Sequence, residues 1–399
     1  MVKVVVVSPY VPHPARHGGA IRSRVLLDAL CLDHEVHLAA AVATEQDRSN
    51  LDALAAEIGV CVHPIPARNA PRSSVFGKLA SWSIGRSELV GRRWVRGSYE
   101  AISRVFDEVG HDIGVIDSTF ALPLRTHKCH LLFLHNLEYS MYARADGEAR
   151  GWKDRVTRWM EARGLRGVEQ RAIRSHAVTV TVSDYDRELA LGLAPHASVA
   201  AVPNSVDLDS LPLLPLADAG SAPRLLFVGS LDYPPNLEAV TELVEGHLPV
   251  LREAYPDLTL RLVGKDPQGH GLRFRGIPGV EVVGPVDDLV EHYRDTHAVY
   301  LPIRSGGGTR IKILEAWSLG VPVLSTAVGA EGLPAEDRVH LRQFETPAQG
   351  CDALRAVLAG DSSRLRSEGR KLVELHFSHN SAVARLRQIF NELAAQLGD

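Results

Sequence analysis

The stretch of residues 299–333, VYLPIRSGGGTRIKILEAWSLGVPVLSTAVGAEGL, restricts the fold of this chain more than any other. It predicts a buried strand, a glycine loop, a helix over residues 311–319, a second strand and a second glycine turn. Apolar strands separated by a helix are typical of a parallel sheet covered on both faces. Gly306, Gly307 and Gly308 have no Cβ, so their backbone can approach a ligand closely. We therefore expect a ligand-binding loop in an α/β domain.

The charges that follow this loop predict which ligand it binds. Thr309 is a suitable N-cap for the helix, and Arg310 and Lys312 lie in or near its first turn. Cations at a helix N-terminus oppose the helix dipole unless an anion binds there as well. Backbone N–H groups beside fixed positive charges suit a phosphate or diphosphate. Glu315, one turn further on, could accept two hydrogen bonds from vicinal hydroxyls such as those of a ribose. A solvated loop before a surface helix is the alternative.

The N-terminal half begins with a similar unit. Residues 4–7 are four consecutive valines, and Gly18-Gly19 precedes a helix predicted over 20–30. A strand, a glycine loop and a helix form the first unit of a doubly wound α/β domain, with a site at the carboxyl end of the strand. Arg22 and Arg24 in the first helical turns again suggest a nearby anion.

A polar cluster follows a later strand, at residues 131–134. His135-Asn136-Leu137-Glu138-Tyr139 comes directly after it, where an open α/β sheet places its chemistry. His135 could donate a hydrogen bond or act as an acid or base near neutral pH, or be a satisfied core histidine. The other strands predicted in this half cover residues 35–42, 59–65, 112–117, 177–182 and 199–202.

The composition of residues 211–223, LPLLPLADAGSAP, indicates a linker between two domains. We predict an N-terminal domain over 1–210, a C-terminal domain over 224–380, and an amphipathic helix over 381–399 that could pack back on the first domain. The second domain repeats the α/β alternation, with strands predicted at 224–228, 258–263, 280–283, 298–303, 321–325 and 339–341. Two doubly wound domains imply a ligand cleft between them.

Composition excludes several classes of function. At 399 residues with a net charge near −4, the chain gives no reason to expect nonspecific nucleic-acid binding. Its four cysteines are scattered and fit a reducing cytoplasm. No apolar run approaches the roughly 20 residues that span a bilayer, and the N-terminus does not have the pattern of a signal peptide. Residues 70–110 are basic and helical in pattern, with Lys78, Arg92, Arg93 and Arg96 predicted on the exposed side. They could form a solvated face or contact an acidic acceptor or a membrane.

The order of motifs resembles the retaining nucleotide-sugar glycosyltransferases of family 4. The C-terminal half carries GS…PN, VGK, VGPVDDL, LPIRSGGGTRIKILEAWSLGVPVLST and GAEGL. The N-terminal half carries VVSPYVPHPARHGGAIR, HNLEY, VTVSDYDREL and VPNSVDLD. The resemblance implies the GT-B fold, in which two Rossmann-like domains face each other across a cleft.

The resemblance also assigns roles to individual residues. It implies that Glu315 holds the ribose hydroxyls of the donor, that Gly18 and Gly19 approach the donor phosphate, and that His135 contacts the donor sugar. Asn204 matches the asparagine that follows a proline near the crossing between the domains. The other candidates for donor binding are Gly229, Ser230, Lys265, the loop 306–308 and Thr309, with Asn136 and Ser183 as additional candidates and His135, Arg310 and Lys312 as the catalytic set.

The chain departs from the family pattern at two places. The first glutamate of the family motif, which normally contacts the transferred sugar, is replaced by Gly307. The arginine and lysine that normally hold the diphosphate are replaced by Ser230 and Asn236. Arg310 and Lys312, together with Lys265, are the expected replacements for these cations.

The resemblance implies transfer of a hexose-type sugar from a UDP- or GDP-sugar to an acceptor hydroxyl, with retention of configuration. No metal and no cofactor are expected, because the protein supplies the positive charge. The acceptor could be a saccharide, a lipid-linked precursor or a small natural product. We expect a cytoplasmic protein, and peripheral contact with the inner face of the membrane stays open. A nucleotide-sugar 2-epimerase of the same fold and a non-catalytic nucleotide-sugar-binding protein are the alternatives.

Overall fold

The computed structural model describes residues 2–15, 18–69, 87–124, 129–144, 152–218, 220–305 and 311–398. The chain forms two compact units. The first contains residues 1–204 and 380–399, and the second contains residues 205–379. Each unit has a fully parallel sheet with helices, which confirms the predicted fold class. The predicted ligand cleft between the domains stays a prediction.

The first unit is built on a seven-stranded sheet in the order β3-β2-β1-β4-β5-β6-β7. Its central strand is the predicted valine run, and all four valines are buried, as expected of a strand covered on both faces. The order reverses between β1 and β4, so the carboxyl ends of these two strands form a topological switch point. The strands are β1 Lys3–Ser8, β2 Glu35–Val42, β3 Cys61–Pro66, β4 Ile113–Asp117, β5 Cys129–Phe133, β6 Val178–Thr181 and β7 Val199–Ala201.

The helices of the first unit alternate with these strands. Helix α2 begins with a capping box between Thr44 and Asp47 and ends at Gly59, whose φ of 71° is left-handed. Gly59 therefore ends a helix, and the strand predicted from residue 59 begins at Cys61. The helices are α1 Gly18–Cys31, α2 Glu45–Ile58, α3 Glu88–Gly91, α4 Ser98–Val109, α5 Glu138–Arg144, α6 Trp152–Ser175, α7 Asp184–Leu193 and, from the end of the chain, α14 His379–Gly398.

Helix α14 completes the core of the first unit. Leu386, Phe390 and Leu393 are buried in the same apolar cluster as Leu27 of α1 and Val36 of β2. Arg387 on its outer side forms a two-pronged ion pair with Asp33, at 2.7 and 2.9 Å. The last helix thus belongs structurally to the first unit.

The second unit is built on a six-stranded sheet in the order β10-β9-β8-β11-β12-β13, with its switch point between β8 and β11. Its strands are β8 Arg224–Val228, β9 Thr259–Val263, β10 Val280–Gly284, β11 Ala298–Leu301, β12 Val323–Ser325 and β13 Arg342–Gln343. Its helices are α8 Pro234–Glu242, α9 Leu248–Ala254, α10 Val290–Tyr293, α11 Ile311–Leu319, α12 Pro347–Ala356 and α13 Ser362–His376. Helix α11 has the predicted bounds.

Two predictions made from the sequence differ from the structure of the second unit. The last strand lies at Arg342–Gln343 and not at 339–341, because a tight turn closes there, with Arg338 at a φ of 64° and its N–H donating to Leu341 O at 2.7 Å. The segment predicted as a linker packs in this unit: Leu214 is buried and its N–H donates to Leu319 O at 2.9 Å. No helix in the described part of the chain is long and apolar enough to cross a membrane.

Candidate functional site

In the first unit, Asp117 organises the polar groups at the switch point. Its side chain is fully buried at the end of β4. Oδ2 accepts hydrogen bonds from Ser8 at 2.8 Å, across the switch point, and from Ser23 of α1 at 2.6 Å. Oδ1 lies 2.6 Å from His135 Nε2. A carboxylate with three partners is well suited to a buried position, since each hydrogen bond offsets its desolvation.

His135 is held at both ring nitrogens. Nε2 contacts Asp117, and Nδ1 lies 2.9 Å from the hydroxyl of Tyr10. Only 10% of its side chain is exposed. Gly19 passes directly beside this contact, since a Cβ at that position would lie 2.6 Å from the Tyr10 hydroxyl oxygen and 3.3 Å from His135 Nδ1. The structure thus brings the predicted residues Gly19 and His135 together, while Gly18 begins helix α1.

The expectation of an anion near Arg22 and Arg24 is wrong. The Arg22 guanidinium is buried and donates to three backbone carbonyls, those of Leu134, Thr181 and Val202, at 2.8 to 2.9 Å. Burial lowers its pKa to about 9, against the opposing effect of Asp117. Arg24 pairs with Asp28 and Glu57 on the surface. Arg22 therefore ties together the carboxyl ends of three neighbouring strands.

A second group of carboxyls surrounds the residues that follow His135. Glu169 of α6 accepts hydrogen bonds from the backbone N–H groups of Glu138 and Tyr139, so it caps α5 from another helix. Burial raises the pKa of Glu138 to about 7, although a hydrogen bond from Asn136 opposes the rise. Burial and then the charge of Glu138 raise the pKa of Glu169 to about 8.

Two further predicted residues of the first unit lie near its carboxyl edge. Ser183 is the N-cap of α7: its Oγ accepts from Asp186 N at 3.0 Å and donates to Asp186 Oδ2 at 2.7 Å. Asn204 ends the first unit, and its buried Oδ1 has no hydrogen-bond partner among the described residues. The geometry therefore gives Ser183 a helix-capping role.

In the second unit, Lys312 and Asn236 form the centre of the candidate site. Lys312 Nζ donates to Asn236 Oδ1 at 2.7 Å and lies 4.5 Å from the centroid of the Phe227 ring. Asn236 Nδ2 donates to Ser230 O at 2.9 Å. A Cβ on Gly229 would lie 2.6 Å from Asn236 Nδ2 and 2.9 Å from Lys312 Nζ, so only glycine leaves room for this contact.

Glu315 lies one helical turn after Lys312. Burial raises the pKa of its carboxyl to about 7, and the charge of Lys312 acts in the opposite direction. Within the described residues, no hydrogen bond reaches this carboxyl group. Nearby, Tyr293 is buried with a hydroxyl that has no partner in the described part of the chain, and burial with the charge of Glu315 raises its pKa. A largely desolvated carboxyl of this kind is a strong acceptor for a ligand hydroxyl.

Helix α8 fixes the start of the glycine loop. Arg304 pairs with Glu242 at 2.9 Å and with Glu345 at 2.5 Å, and Ser305 donates to Glu238 at 3.1 Å. The predicted residues Gly306, Gly307, Gly308, Thr309 and Arg310 lie outside the described residues. The chain is thus held by α8 before the loop, through two glutamates, and after it, through Asn236.

The carboxyl ends of β8, β9 and β10 line a cavity of about 450 Å³. Gly229, Gly264 and Gly284 lie at these strand ends, and each has a positive φ. The cavity has the size typical of a small-molecule site. Lys265 is exposed beside it, and its carbonyl accepts a hydrogen bond from Ser230 Oγ at 3.3 Å.

Sequence reasoning missed Asp117, Tyr10, Ser23 and the glutamates of α8. Asp117 could have been found, because it is a polar residue at the carboxyl end of an apolar strand, as His135 is. Glu238 and Glu242 are a like-charged pair four residues apart on one helix face, a spacing that predicts cationic or donor partners. No group of three or more His, Cys, Asp or Glu side chains in the described ranges is arranged to hold a metal ion.

Comparison with known proteins supports the GT-B architecture. Residues 222–371 match the family model described as Glycosyl transferases group 1. The chain is 26% identical over 215 residues to an exopolysaccharide phosphotransferase of Streptomyces coelicolor, a match that covers 50% of this chain but 21% of that protein. The chain spans much less than two thirds of that relative.

Solved structures resemble the whole chain. Sucrose-phosphate synthase from Thermosynechococcus elongatus has a TM-score of 0.71 at 17% identity, with 99% of this chain and 100% of that chain covered. Anabaena HepE in complex with UDP and glucose has a TM-score of 0.65 at 13% identity, with 98% and 100% covered. At this identity the likeness shows the fold, which is that of the GT-B glycosyltransferases.

Proposed function

We propose, from the match of residues 222–371 to the family model of the group 1 glycosyl transferases, that this chain moves a hexose-type sugar from a nucleotide diphosphate sugar to an acceptor hydroxyl. The second unit binds the donor nucleotide. The observation that carries the proposal is Glu315, a desolvated carboxyl that no described residue hydrogen-bonds, one turn from a fixed ammonium.

Glu315 accepts two hydrogen bonds from the vicinal hydroxyls of the ribose. A carboxylate has two oxygens and can receive both hydroxyls at once. Hydrogen bonds to a charged group contribute about 1.5 to 3 kcal/mol each, more than neutral ones. The ribose thus offsets the desolvation that raises the pKa of this carboxyl.

Lys312 binds the diphosphate. Its ammonium is held by Asn236, and the adjacent Gly229 lets the backbone approach without a side chain. Arg310 and the N–H groups of the loop 306–308 are expected to add to this site, as the sequence predicts. Negative charge develops on the phosphate as the sugar leaves, and preorganised cations and N–H groups stabilise it. The protein supplies this charge without a metal ion.

The cavity at the ends of β8, β9 and β10 takes the nucleoside. UDP is our first candidate for the nucleotide, because the structure of HepE, which shares the fold, was solved with UDP and glucose. GDP is the second.

The reaction retains the anomeric configuration. The bond between the anomeric carbon and the phosphate oxygen breaks, and the acceptor oxygen bonds to the same face of that carbon. The proton of the acceptor hydroxyl passes to the departing phosphate, so that atoms and charge balance. His135, in the first unit, binds a hydroxyl of a substrate.

The acceptor is a saccharide, a lipid-linked precursor or a small natural product.

Helix α6 has a surface that supports peripheral contact with a membrane. Over residues 155–175 its exposed side chains are arginines, one serine and two large apolar groups, with no exposed carboxylate. Trp159 is 58% exposed and Val156 49% exposed, and the guanidinium of Arg163 lies 6.0 Å from the Trp159 ring centroid. A basic helix face with an exposed tryptophan suits an anionic bilayer surface. Arg92 and Arg93, predicted to be exposed, are half-buried, and Lys78 lies outside the described residues.

The proposal is tested by measuring the binding of UDP, GDP, ADP and TDP and their glucose conjugates to the purified chain, by thermal shift and by calorimetry. Binding to the folded state raises the melting temperature. We expect one nucleotide to bind, and Glu315→Gln to weaken it about 10- to 100-fold through loss of one charged acceptor. Glu253→Gln, an exposed glutamate of the same unit, is the control. Binding of none of these ligands, or equal binding by Glu315→Gln, would overturn the proposed site.

A further inference from the structure

The hydrogen bonds around Asp117 decide which nitrogen of His135 carries a proton. Asp117 Oδ1 lies 2.6 Å from His135 Nε2, and a buried carboxylate can only accept. Nε2 must therefore carry a hydrogen and donate it. The hydroxyls of Ser8 and Ser23 donate to the other oxygen, Oδ2.

The remaining nitrogen, Nδ1, is then an acceptor in the neutral ring. Ser23 has one hydroxyl hydrogen, and its shortest contact is the 2.6 Å bond to Asp117. The Tyr10 hydroxyl lies 2.9 Å from His135 Nδ1 and 3.2 Å from Ser23 Oγ. The shorter contact has Tyr10 donating to His135. Nδ1 of His135 therefore accepts a hydrogen bond from a hydroxyl group.

We propose that Asp117 is a positioning residue that holds His135 in the Nε2–H tautomer and so presents Nδ1 as an acceptor for a substrate hydroxyl. This inference rests on the proposed function for the identity of the substrate. In the free protein, the Tyr10 hydroxyl donates a hydrogen bond to Nδ1. When substrate binds, a hydroxyl of the transferred sugar or of the sugar acceptor donates to Nδ1 in its place. Gly19 packs directly beside this contact, where a Cβ would lie 2.6 Å from the Tyr10 hydroxyl oxygen and 3.3 Å from Nδ1.

Replacing Asp117 by asparagine should reverse the tautomer. Both serines donate to Oδ2, so the amide oxygen of the asparagine turns toward them. Its NH₂ group then points at His135 Nε2, which must become an acceptor, and the proton moves to Nδ1. Nδ1 then carries a hydrogen and can no longer accept a hydrogen bond from the substrate hydroxyl. The same dependence of a histidine tautomer on a buried carboxylate is known from catalytic triads.

The first experiment measures the tautomer in the wild-type protein by long-range ¹H–¹⁵N NMR, and needs no substrate. His135 is assigned by the signal that disappears in His135→Gln. We expect a neutral ring with the hydrogen on Nε2. A hydrogen on Nδ1, or on both nitrogens near neutral pH, would overturn the proposal.

The second experiment compares Asp117→Asn with wild type, using UDP and UDP-glucose as probes. Asp112→Asn, at the exposed start of the same strand, is the matched control. We expect UDP to bind both variants as it binds wild type. A 10-fold or greater loss of UDP-glucose affinity identifies a sugar hydroxyl on Nδ1. A 100-fold fall in kcat at unchanged KM for the release of UDP from UDP-glucose, with water as the glucosyl acceptor, identifies a hydroxyl of the attacking acceptor.

Unchanged UDP-glucose affinity and kcat in Asp117→Asn would refute the role of Asp117. That outcome differs from failure of the proposed function, in which the wild-type protein binds neither UDP nor UDP-glucose. Should Asp117→Asn not fold, the tautomer of the wild-type ring still tests the proposal.

Discussion

Lys312 Nζ lies 2.7 Å from Asn236 Oδ1, so the ammonium that follows the glycine loop is fixed by an amide of a different helix. The same amide donates to Ser230 O, which ties it to the end of β8. The sequence predicts that Asn236 replaces a cation of the family pattern, and in the structure its amide oxygen accepts a hydrogen bond from the ammonium of Lys312.

Removing this amide should weaken phosphate binding selectively. We expect Asn236→Ala to weaken binding of the nucleoside diphosphate about 10-fold, because the ammonium of Lys312 is then no longer held in place. Lys312→Ala, which deletes the ammonium, should weaken binding about 30- to 100-fold. The free nucleoside should bind all three proteins equally. Calorimetry with both ligands checks this, with Lys371→Ala, an exposed lysine of α13, as the control. Equal losses for nucleoside and diphosphate would contradict a role at the phosphates.

Donor binding should depend on pH through Glu315. Its pKa of about 7 means that the carboxylate, the better acceptor for ribose hydroxyls, is largely lost by pH 6. We expect the Kd for a nucleotide sugar to rise about 10-fold between pH 8 and pH 6, as the ionised fraction falls. The diphosphate diester of a nucleotide sugar does not titrate in this range. Glu315→Gln should bind weakly with a flat profile, and a similar slope in that variant would assign the pH dependence elsewhere.

Glu138 should make the folded protein less stable at alkaline pH. Its pKa rises from 4.5 to about 7 on folding, so the folded state holds this proton more tightly. The stabilisation is complete below pH 4.5 and is lost as pH rises through 7, and it corresponds to roughly 3 kcal/mol at about 1.4 kcal/mol per pKa unit. Glu138→Gln cannot lose a proton. Its stability relative to wild type should therefore increase by up to that amount from pH 4.5 to pH 8.

Urea unfolding of both proteins at several pH values measures this difference. Glu100→Gln, an exposed glutamate of α4, should show no such trend. A constant offset between Glu138→Gln and wild type across the pH range would show that the carboxyl does not titrate differently in the folded state.

Arg22 should be a structural residue. Arg22→Lys keeps the charge but cannot donate to three carbonyls at once, and losing two of these charge-assisted hydrogen bonds costs about 3 kcal/mol, at about 1.5 kcal/mol each. We expect the melting temperature to fall by about 6 to 12 °C, at roughly 2 to 4 °C per kcal/mol for a unit of this size. Arg24→Lys, two residues along the same helix with surface partners, should change it by about 2 °C or less. Similar melting temperatures for the two variants would mean that the three carbonyls do not depend on Arg22.

The fold could be predicted because local patterns decide it. Four consecutive β-branched residues, as in β1, favour a strand covered on both faces. Prediction failed at residues 339–341, where the left-handed backbone of Arg338 closes a turn that an apolar pattern does not reveal. The division between the units at Asn204 was also missed, since Leu214 looks like linker sequence until its burial is seen.

The candidate site was predictable only where its residues carry a local motif. Glu315 and Lys312 follow a glycine loop, and His135 follows a strand, so position along the chain was enough to suggest them. Asp117 contacts Ser8 and Tyr10 contacts His135 across more than 90 residues of chain, and only the order of strands brings these pairs together. Arg22 was misread for the same reason, because its carbonyl partners come from three separate segments.

Helix α14 has a consequence for how the chain folds during synthesis. The core of the first unit needs Leu386, Phe390 and Leu393, which leave the ribosome after the whole of the second unit has been made. The second unit is contiguous, from residue 205 to residue 379, and every described residue of its apolar core lies within it. The domain that begins first is therefore finished last, and the part of its apolar core that the final helix covers stays exposed until that helix emerges.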